Sequence, residues 1–361
     1  MITKKDCIIY RHNLKNIPIY YGRGIVKNLP LYLNKLNFDK IAVITDLNVK
    51  KHLGRELKEA ISEQNYRFFT IPAGEKYKGI DTYKRIVNLL FDWKITKNSV
   101  IIAFGGGVVG NLAGFLASTI YRGIKLVHIP TTIISQADSS IGGKQAINTP
   151  YGKNTIGSIY EPEFVITDFN FLKTLPKREV KCGVAESIKH ALCQDEILLK
   201  RLSRKGKSLG VISKLIEDTI KLKIRLFELD EKGVNESNIF IYGHEIGRVI
   251  ESISKGKLTH GEAISIGMCC SARLSNSLGH LSDRDLIRHF TVLKKWGLPT
   301  RIPKNISVKD ISQGLESGGK LVNSKIQIIL LENIGLPAKT NGIIGNIVKK
   351  NDLLICLKNC Y

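Results

Sequence analysis

Apolar and polar positions alternate in a regular order along the first half of the chain. Short apolar runs rich in β-branched residues end at polar or glycine-containing turns, and amphipathic stretches with helical spacing follow them. The strand-like runs are Ile41–Ile44, Phe68–Ile71, Val100–Phe104 and Leu126–Ile129, and the helix-like stretches include Asn48–Gln64 and Ile80–Trp93. This order predicts a parallel sheet with helices on both faces, whose ligands bind at the carboxyl ends of the strands.

The pattern changes near residues 172–178. Beyond this point apolar residues recur with helical spacing, and only one late run, Ile326–Leu331, resembles a strand. The predicted helical stretches are Val180–Cys193, Val211–Leu229, Ile239–Ile253 and Ala263–Leu278. We therefore expect an α/β domain with a Rossmann-like parallel sheet over residues 1–175 and a mostly α-helical domain over residues 176–361.

Composition agrees with a globular protein of two domains. The 361 residues are 43% hydrophobic and 24% charged, and their number exceeds what a single hydrophobic core usually supports. The 55 Lys and Arg against 32 Asp and Glu give a net charge of +23. The lysines are spread along the whole sequence without an aromatic-interleaved basic motif, so the charge favours an anionic small molecule over nucleic acid as the partner.

Two features concern the cellular compartment. The seven cysteines, an odd number, follow no metal-ligand or disulfide spacing, and the first 15 residues lack the apolar stretch of a secretory signal. Residues 98–121 carry no charge and reach the length of a membrane span, but Gly105–Gly107 interrupts them. We expect a cytoplasmic protein with no membrane partner, in which this segment forms a strand, a glycine turn and a helix.

Two glycine-containing segments are candidates for binding phosphate. The run Gly105–Gly110 satisfies GxGxxG between a strand and a helix, where backbone amides can approach a pyrophosphate. No acidic residue follows about 20 positions later, so a plain tight turn is the alternative, and Asp46 at an earlier strand end is the candidate ribose contact. Lys144 and Lys153 lie in glycine-containing turns that suit a phosphate, although solvated loop lysines have the same pattern.

Glu186, His244 and His260 fall on three separate helix-like stretches. Two imidazoles and a carboxylate suit a catalytic Zn²⁺ or similar ion that keeps a position open for substrate. A spacing of 16 residues between the histidines is not typical of metal ligands, and a histidine near a helix start is commonly a cap or core residue. Spacing alone leaves both interpretations open.

Taken together, these segments resemble the 3-dehydroquinate synthase superfamily, the sugar phosphate cyclases. The resemblance runs in order over about residues 40–335. It is carried by residues 72–78 (PAGEKYK), 105–114 (GGGVVGNLAG), 130–132 (PTT), 138–144 (DSSIGGK), 152–154 (GKN), 172–176 (LKTLP), 185–189 (AESIK), 243–244 (GH) and 260–263 (HGEA).

The resemblance implies NAD as cofactor and one Zn²⁺ or Co²⁺ ion held by Glu186, His244 and His260. The implied cofactor contacts are Asp46, Glu75, Lys78, Gly106, Gly107, Asn111, Thr131, Thr132 and Thr174. Family substrate-pocket positions are matched by Asp138, Lys144, Lys153, Asn154, Lys189, Lys223 and Lys320. Of these, Lys144, Asn154, Lys189 and Lys223 are predicted catalytic residues together with Glu186, while Asp138 and Lys153 are also predicted cofactor contacts. Arg122 matches an arginine that reaches a neighbouring subunit's site, which implies a homodimer.

The implied reaction is the cyclisation of a sugar phosphate by a carbon–oxygen lyase. A ring hydroxyl is transiently oxidised by NAD⁺, phosphate is eliminated, hydride returns, and an intramolecular aldol reaction closes a carbocycle. The cofactor is regenerated within each turnover.

Three positions near His244 depart from the dehydroquinate synthase pattern. Ser237 replaces an arginine that grips the substrate carboxylate, Ile241 replaces an asparagine, and Arg248 replaces a second histidine. Losing the clamp weakens carboxylate binding, since each charge-assisted hydrogen bond contributes about 1.5–3 kcal/mol. Arg248, about one helical turn beyond His244, is a candidate substrate contact that restores a positive charge.

Other details resemble the 2-deoxy-scyllo-inosose synthase branch, which cyclises glucose 6-phosphate. They are residues 110–111, 144–148 and 258–264. The leading prediction is therefore a cyclase of glucose 6-phosphate or another substrate without a carboxylate, and the alternative is a 3-dehydroquinate synthase with a rewired carboxylate site. An NAD-dependent polyol dehydrogenase and a catalytically inactive binding protein are further alternatives, and the intact Glu186, His244, His260 and Lys189 argue against the last.

Overall fold

The structure of the chain is a computed structural model that describes residues 7–12, 15–204, 206, 208–231, 236–318, 321–322 and 324–361; the side chains of residues 230–231, 236–237 and 321–322 are not described. The chain divides into two compact units, Met1–Pro176 and Lys177–Tyr361.

The first unit alternates strands and helices. Its strands are β1 (Cys7–His12), β2 (Lys15–Gly22), β3 (Ile41–Asp46), β4 (Tyr66–Ile71), β5 (Val100–Gly105), β6 (Lys125–Pro130), β7 (Lys144–Thr149), β8 (Gly152–Ile159) and β9 (Phe164–Asp168). Its helices are α1 (Leu29–Leu33), α2 (Leu47–Ala60), α3 (Ile80–Asp92) and α4 (Gly107–Thr119). Seven strands form one sheet in the order β1-β2-β9-β6-β5-β3-β4, and every neighbouring pair is parallel except β1 and β2 at the edge.

The sheet is buried on both faces, as the apolar runs predict. Side chains alternate along a strand, so Ile41 and Val43 of β3 join the apolar cluster on one face, and Ala42 and Ile44 join the cluster on the other. Helix α2 covers the first face and α4 covers the second. This confirms the predicted parallel sheet with helices on both faces, and it brings the carboxyl ends of β3, β5 and β6 to one edge.

Two parts of this unit were not predicted from the sequence. Strands β1, β2 and β9 extend the sheet, and β7 pairs with β8 in a separate antiparallel hairpin. Lys144 begins β7 and Lys153 is the second residue of β8, so the prediction that both lie in glycine-containing turns is wrong. The hairpin escapes the apolar pattern because β8 is mostly exposed and polar.

The second unit is mostly helical. Its helices are α5 (Lys177–Gln194), α6 (Glu196–Arg204), α7 (Leu209–Glu231), α8 (His244–Ile253), α9 (His260–Ser277), α10 (Asp283–Lys295), α11 (Val308–Ser317) and α12 (Lys350–Lys358). Short strands follow α11, namely β10 (Leu321–Val322), β11 (Lys325–Ile328), β12 (Leu331–Asn333), β13 (Leu336–Pro337), β14 (Lys339–Thr340), β15 (Ile343–Ile344) and β16 (Asn346–Lys349).

Two predicted elements of this unit need correction. The helix expected over Ile239–Ile253 is two elements, a 3₁₀ turn over Glu236–Ile241 and α8, because Gly243 has a φ of 73° that breaks helical geometry. The single late strand expected over Ile326–Leu331 is divided between β11 and β12.

Residues 98–121 form β5, a glycine turn and α4. Within the described part of the chain, no helix combines the length and the apolar character needed to cross a bilayer.

Candidate active site

Glu186, His244 and His260 come together in the second unit. Glu186 lies on α5, while His244 and His260 are the first residues of α8 and α9. Glu186 Oε1 is 3.4 Å from His244 Nε2 and 3.3 Å from His260 Nε2. One ligand atom from each of the three residues lies within 4.8 Å of the other two, which is a suitable arrangement for holding a metal ion.

Local sequence explains why His260 stands at a helix start, and close packing brings it near His244. Thr259 and Glu262 form a capping box in which Thr259 N–H donates to Glu262 Oε2 at 2.8 Å, so that α9 begins at His260. Gly267 lets α8 and α9 approach closely, because a Cβ there would lie 2.0 Å from Gly243 O. The two histidines are therefore brought together by a cap and by a close helix contact.

The histidine contacts leave three electron-rich atoms facing one point. His244 Nδ1 is 3.2 Å from Tyr242 O, and His260 Nδ1 is 2.9 Å from Glu251 Oε2. Because these partners accept hydrogen bonds, they assign the hydrogen of each neutral imidazole to Nδ1 and leave the Nε2 lone pairs facing Glu186 Oε1. That oxygen is buried and finds no well-oriented donor among the described residues. Such a set can hold a cation, and its nitrogen and oxygen donors fit Zn²⁺ or Co²⁺.

The pKa values of Glu186, His244 and His260 depend on burial and on the charges of their neighbours. Although burial acts in the opposite direction, Lys189, His244 and His260 hold the pKa of Glu186 well below its ordinary value. Burial lowers the pKa of His244. Burial also acts to lower the pKa of His260, but Glu186 and Glu251 outweigh it and raise this pKa to about 9. Without a metal ion, a proton on His260 therefore supplies the missing positive charge.

Lys189 and Lys223 lie beside this cluster and share one neighbour, Phe240. Lys189 Nζ is 2.6 Å from Glu186 Oε2 and donates to Phe240 O at 2.9 Å, with the lysine and the glutamate side chains each 2% exposed. Lys223 Nζ lies 5.6 Å from the Phe240 ring centre and 5.7 Å from that of Phe227. The faces of aromatic rings attract a cation electrostatically, so both rings help to hold the ammonium group of Lys223 in place.

In the first unit, Asp46, Gly106 and Thr132 lie at the carboxyl ends of β3, β5 and β6. Asp46 ends β3 and caps α2, accepting from the backbone amides of Asn48 and Val49. Gly106 precedes α4, so the first amides of that helix have no side-chain cap there, an arrangement that suits phosphate. Gly106 also packs against Thr132, since a Cβ there would lie 3.0 Å from Thr132 Cγ2.

A second group in this unit surrounds the amide side chain of Asn148. Its Nδ2 donates to Glu75 Oε1 at 2.8 Å, and its Oδ1 accepts from Asn154 N at 2.9 Å. Lys78 Nζ donates to Asn154 Oδ1, and burial lowers the pKa of Lys78. The structure thus joins Glu75, Lys78 and Asn154 through Asn148, to which the sequence assigned no role.

The remaining predicted residues lie on several elements of the two units, some buried and some exposed. Asn111 lies on α4, Thr131 follows β6, Asp138 lies in a π-helical turn over Ser135–Ser139, and Thr174 is exposed at the end of a 3₁₀ turn over Phe169–Thr174. Gly107 begins α4, Lys144 and Lys153 lie in the hairpin, and Arg122 is exposed with a φ of 63°. Arg248 is exposed on α8. Lys320 and the side chain of Ser237 lie outside the described residues.

Sequence reasoning missed the residues that support the cluster of Glu186, His244 and His260. Glu251, Tyr242 and Phe240 contact a histidine or a lysine of the site through a side-chain atom or a backbone carbonyl. A backbone carbonyl contact leaves no trace in residue type, so only the pairing of Glu251 with His260, nine positions apart, was available as a signal. That spacing matches neither a helix nor a strand repeat.

Two family profiles match consecutive parts of the chain. The profile described as 3-dehydroquinate synthase N-terminal matches residues 68–182, and the one described as 3-dehydroquinate synthase C-terminal matches residues 183–320. A protein named 3-dehydroquinate synthase from Dehalococcoides mccartyi is 37% identical over 313 residues, covering 85% of this chain and 87% of that protein. The chain is thus an enzyme of the carbon–oxygen lyase class. It belongs to the 3-dehydroquinate synthase family.

Solved structures agree with the fold. A structure of 2-deoxy-scyllo-inosose synthase complexed with carbaglucose-6-phosphate, NAD⁺ and Co²⁺ is 28% identical with a TM-score of 0.90, covering 98% of this chain and 100% of that chain. A structure of 2-epi-5-epi-valiolone synthase from Streptomyces hygroscopicus subsp. jinggangensis is 23% identical with a TM-score of 0.86, covering 98% and 99%, and this likeness shows the fold alone. The predicted fold class is confirmed.

Proposed function

We propose that the protein is a sugar phosphate cyclase that uses NAD and a divalent metal ion, Zn²⁺ or Co²⁺. The observation that carries this proposal is the convergence of Glu186 Oε1 with the Nε2 atoms of His244 and His260 at 3.4 and 3.3 Å, with both Nδ1 atoms already engaged. A bound metal ion supplies Lewis acidity to adjacent substrate oxygens, and NAD supplies a reversible hydride acceptor.

In this proposal the chain's own residues bind and orient. Glu186, His244 and His260 hold the metal ion. Lys144, Lys153, Asn154, Lys189 and Lys223 supply positive charge and hydrogen bonds to an anionic substrate, with Arg122 and Lys320 as further substrate contacts. Cofactor contacts are assigned to Asp46, Glu75, Lys78, Gly106, Gly107, Asn111, Thr131, Thr132, Asp138 and Thr174.

We infer that the substrate lacks a carboxylate, with glucose 6-phosphate as the best candidate. Ser237 stands where the family pattern has a carboxylate-binding arginine, and the half-buried Ile241 stands where it has an asparagine. An isoleucine side chain offers no hydrogen bond to a carboxylate. The likeness to 2-deoxy-scyllo-inosose synthase complexed with carbaglucose-6-phosphate, at 28% identity, agrees with a neutral sugar ring.

A second candidate activity is that of 3-dehydroquinate synthase, and sequence identity favours it. The relative from Dehalococcoides mccartyi that carries this name is 37% identical to the chain. In this case Arg248, four positions after His244 on α8, replaces the missing carboxylate clamp.

One experiment separates the two activities. Purified protein with NAD⁺ and Co²⁺ is given glucose 6-phosphate or the seven-carbon acid substrate of 3-dehydroquinate synthase, and inorganic phosphate is measured. We expect release from glucose 6-phosphate; release from the acid alone would identify a 3-dehydroquinate synthase.

Variants test which residues set this preference. The paired variant Ser237→Arg with Ile241→Asn is expected to gain turnover of the acid. Arg248→Ala tests the replacement clamp and is expected to leave turnover of glucose 6-phosphate intact.

A homodimer and a cytoplasmic location stay predictions of this proposal. The exposed Arg122 supports the first through its family position, and the odd number of cysteines supports the second. Light scattering of the purified protein tests the dimer, and an Arg122→Ala subunit mixed with an inactive Glu186→Gln subunit tests whether Arg122 acts across it.

A further inference from the structure

Glu251 is the one carboxylate besides Glu186 that contacts a histidine of the cluster among the described residues. Its Oε2 atom lies 2.9 Å from His260 Nδ1, and its side chain is 13% exposed. Neither the sequence pattern nor the resemblance assigns it a role.

The fold places Glu251 there through one helix. His244 and Glu251 are seven positions apart on α8, which is about two helical turns, so both lie on one face. This face reaches the start of α9 because Gly247 lets the two helices approach; a Cβ at Gly247 would lie 3.0 Å from Ala263 O. Helix α8 therefore carries one predicted ligand and the hydrogen-bond partner of another.

The charges around the cluster show what this carboxylate adds. Lys189 neutralises Glu186 through its Oε2 atom at 2.6 Å, so the three predicted ligands and Lys189 together are neutral when the imidazoles are neutral. These ligands would therefore offer a divalent cation no net negative charge of their own, because the ammonium group of Lys189 offsets Glu186. Glu251 places a carboxylate on the far side of His260, where its hydrogen bond to Nδ1 makes the Nε2 atom of the ring a stronger ligand.

The two histidines therefore differ in their support. The partner of His244 Nδ1 is the backbone carbonyl of Tyr242, which is neutral and cannot be removed by substitution. The partner of His260 Nδ1 is a carboxylate, which makes an imidazole a more basic ligand than a carbonyl does.

We propose that Glu251 is a positioning residue of the metal centre. Through its hydrogen bond it fixes the hydrogen of His260 on Nδ1, sets the plane of the ring and raises the basicity of Nε2 towards the ion. This inference rests on the proposed metal-dependent function, and it concerns the affinity for the ion separately from turnover.

The test measures Co²⁺ binding to the full-length, metal-free protein and to three variants. Glu251→Gln keeps the shape and an acceptor oxygen but removes the charge, and Glu251→Ala removes both. Glu217→Gln is the matched control, since Glu217 on α7 is a partly exposed glutamate of the same unit that pairs with Lys214 and Lys221. Dissociation constants are obtained by competition with a chelator, and the visible absorption of bound Co²⁺ reports its coordination.

We expect Co²⁺ affinity to fall about tenfold in Glu251→Gln and to approach a 100-fold loss in Glu251→Ala. The Co²⁺ spectrum is expected to change in both, and Glu217→Gln is expected to match the wild type. If the wild type binds Co²⁺ and all variants bind it equally with the same spectrum, the inference is overturned while the proposed function stands. If the wild type takes up no Co²⁺, both fail. Should Glu251→Ala fold poorly, Glu251→Gln decides the question.

Discussion

Replacing Lys189 with methionine tests how the cluster balances its charges. The substitution keeps a similar length and volume but removes the ammonium group that lies 2.6 Å from Glu186 Oε2. It leaves Glu186 as a buried carboxylate with one partner fewer, and it deprives Phe240 O of a donor at 2.9 Å.

The size of the effect follows from burial. Both side chains of the Lys189–Glu186 pair are 2% exposed, and breaking a buried pair by removing one partner destabilises a protein by about 3–5 kcal/mol. With Co²⁺ saturating the site, the dication pairs with Glu186 and we expect the loss to shrink to about 1.5–3 kcal/mol, the contribution of a hydrogen bond to a charged group. By linkage, Lys189→Met then binds Co²⁺ about tenfold more tightly than the wild type or better.

The assay is urea unfolding followed by the fluorescence of Trp296, which is buried in the second unit. A Trp93→Phe background removes the other tryptophan. Lys221→Met is the control, because its pair with Glu217 leaves the lysine side chain 51% exposed, and such pairs contribute about 0–1 kcal/mol. A loss for Lys189→Met below 1 kcal/mol, or one that Co²⁺ does not reduce, would refute this account of the charges.

Three further predictions follow from separate parts of the structure. Gly267→Ala is expected to destabilise the second unit by about 3 kcal/mol or more and to weaken Co²⁺ binding, since its Cβ would lie 2.0 Å from Gly243 O. Gly206→Ala is the control, because a Cβ at Gly206 would meet only open space. Unchanged Co²⁺ affinity in Gly267→Ala would contradict the close helix contact. Because the pKa of His260 is about 9 without metal, a proton occupies the site below that pH and Co²⁺ must displace it. Titration calorimetry in buffers of different ionisation enthalpy is expected to show about one proton released per ion at pH 7, and tighter binding as the pH rises towards 9. A binding heat that does not depend on the buffer would contradict this prediction. Asp168→Ala is expected to destabilise the first unit by about 3 kcal/mol or more, because the Asp168 carboxylate accepts hydrogen bonds from the backbone amides of Gly24, Val26 and Asn170. Urea unfolding followed by the fluorescence of Trp93 measures this loss of stability. An accompanying loss of Co²⁺ affinity would count against a role confined to the first unit.

The buried core of the fold was predictable from the sequence because its pattern is local. A strand buried on both faces is a continuous apolar run, so β3, β5 and β6 stand out, and the helices between them show helical spacing. Strand β8 is exposed and polar, and β10 and β13 to β16 are two to four residues long, which is too short for any periodicity to be visible.

The candidate site was predictable only as far as motifs reach. The resemblance supplied Glu186, His244 and His260, and the structure brings these three together. It gave no sign of Glu251, whose contact with His260 depends on how α8 approaches α9. It also gave no sign of the carbonyl groups of Tyr242 and Phe240, because the direction of a backbone carbonyl does not depend on residue type. The break at Gly243 has a local cause, a left-handed glycine, but an apolar pattern runs across it unchanged.

The central claim is that the enzyme eliminates phosphate while its cofactor undergoes no net oxidation or reduction. The most direct test follows inorganic phosphate and the absorbance of NADH together in one reaction of purified protein, NAD⁺, Co²⁺ and glucose 6-phosphate. The account predicts many equivalents of phosphate per enzyme with no accumulation of NADH. NADH that accumulates without phosphate release would contradict it and would identify a dehydrogenase.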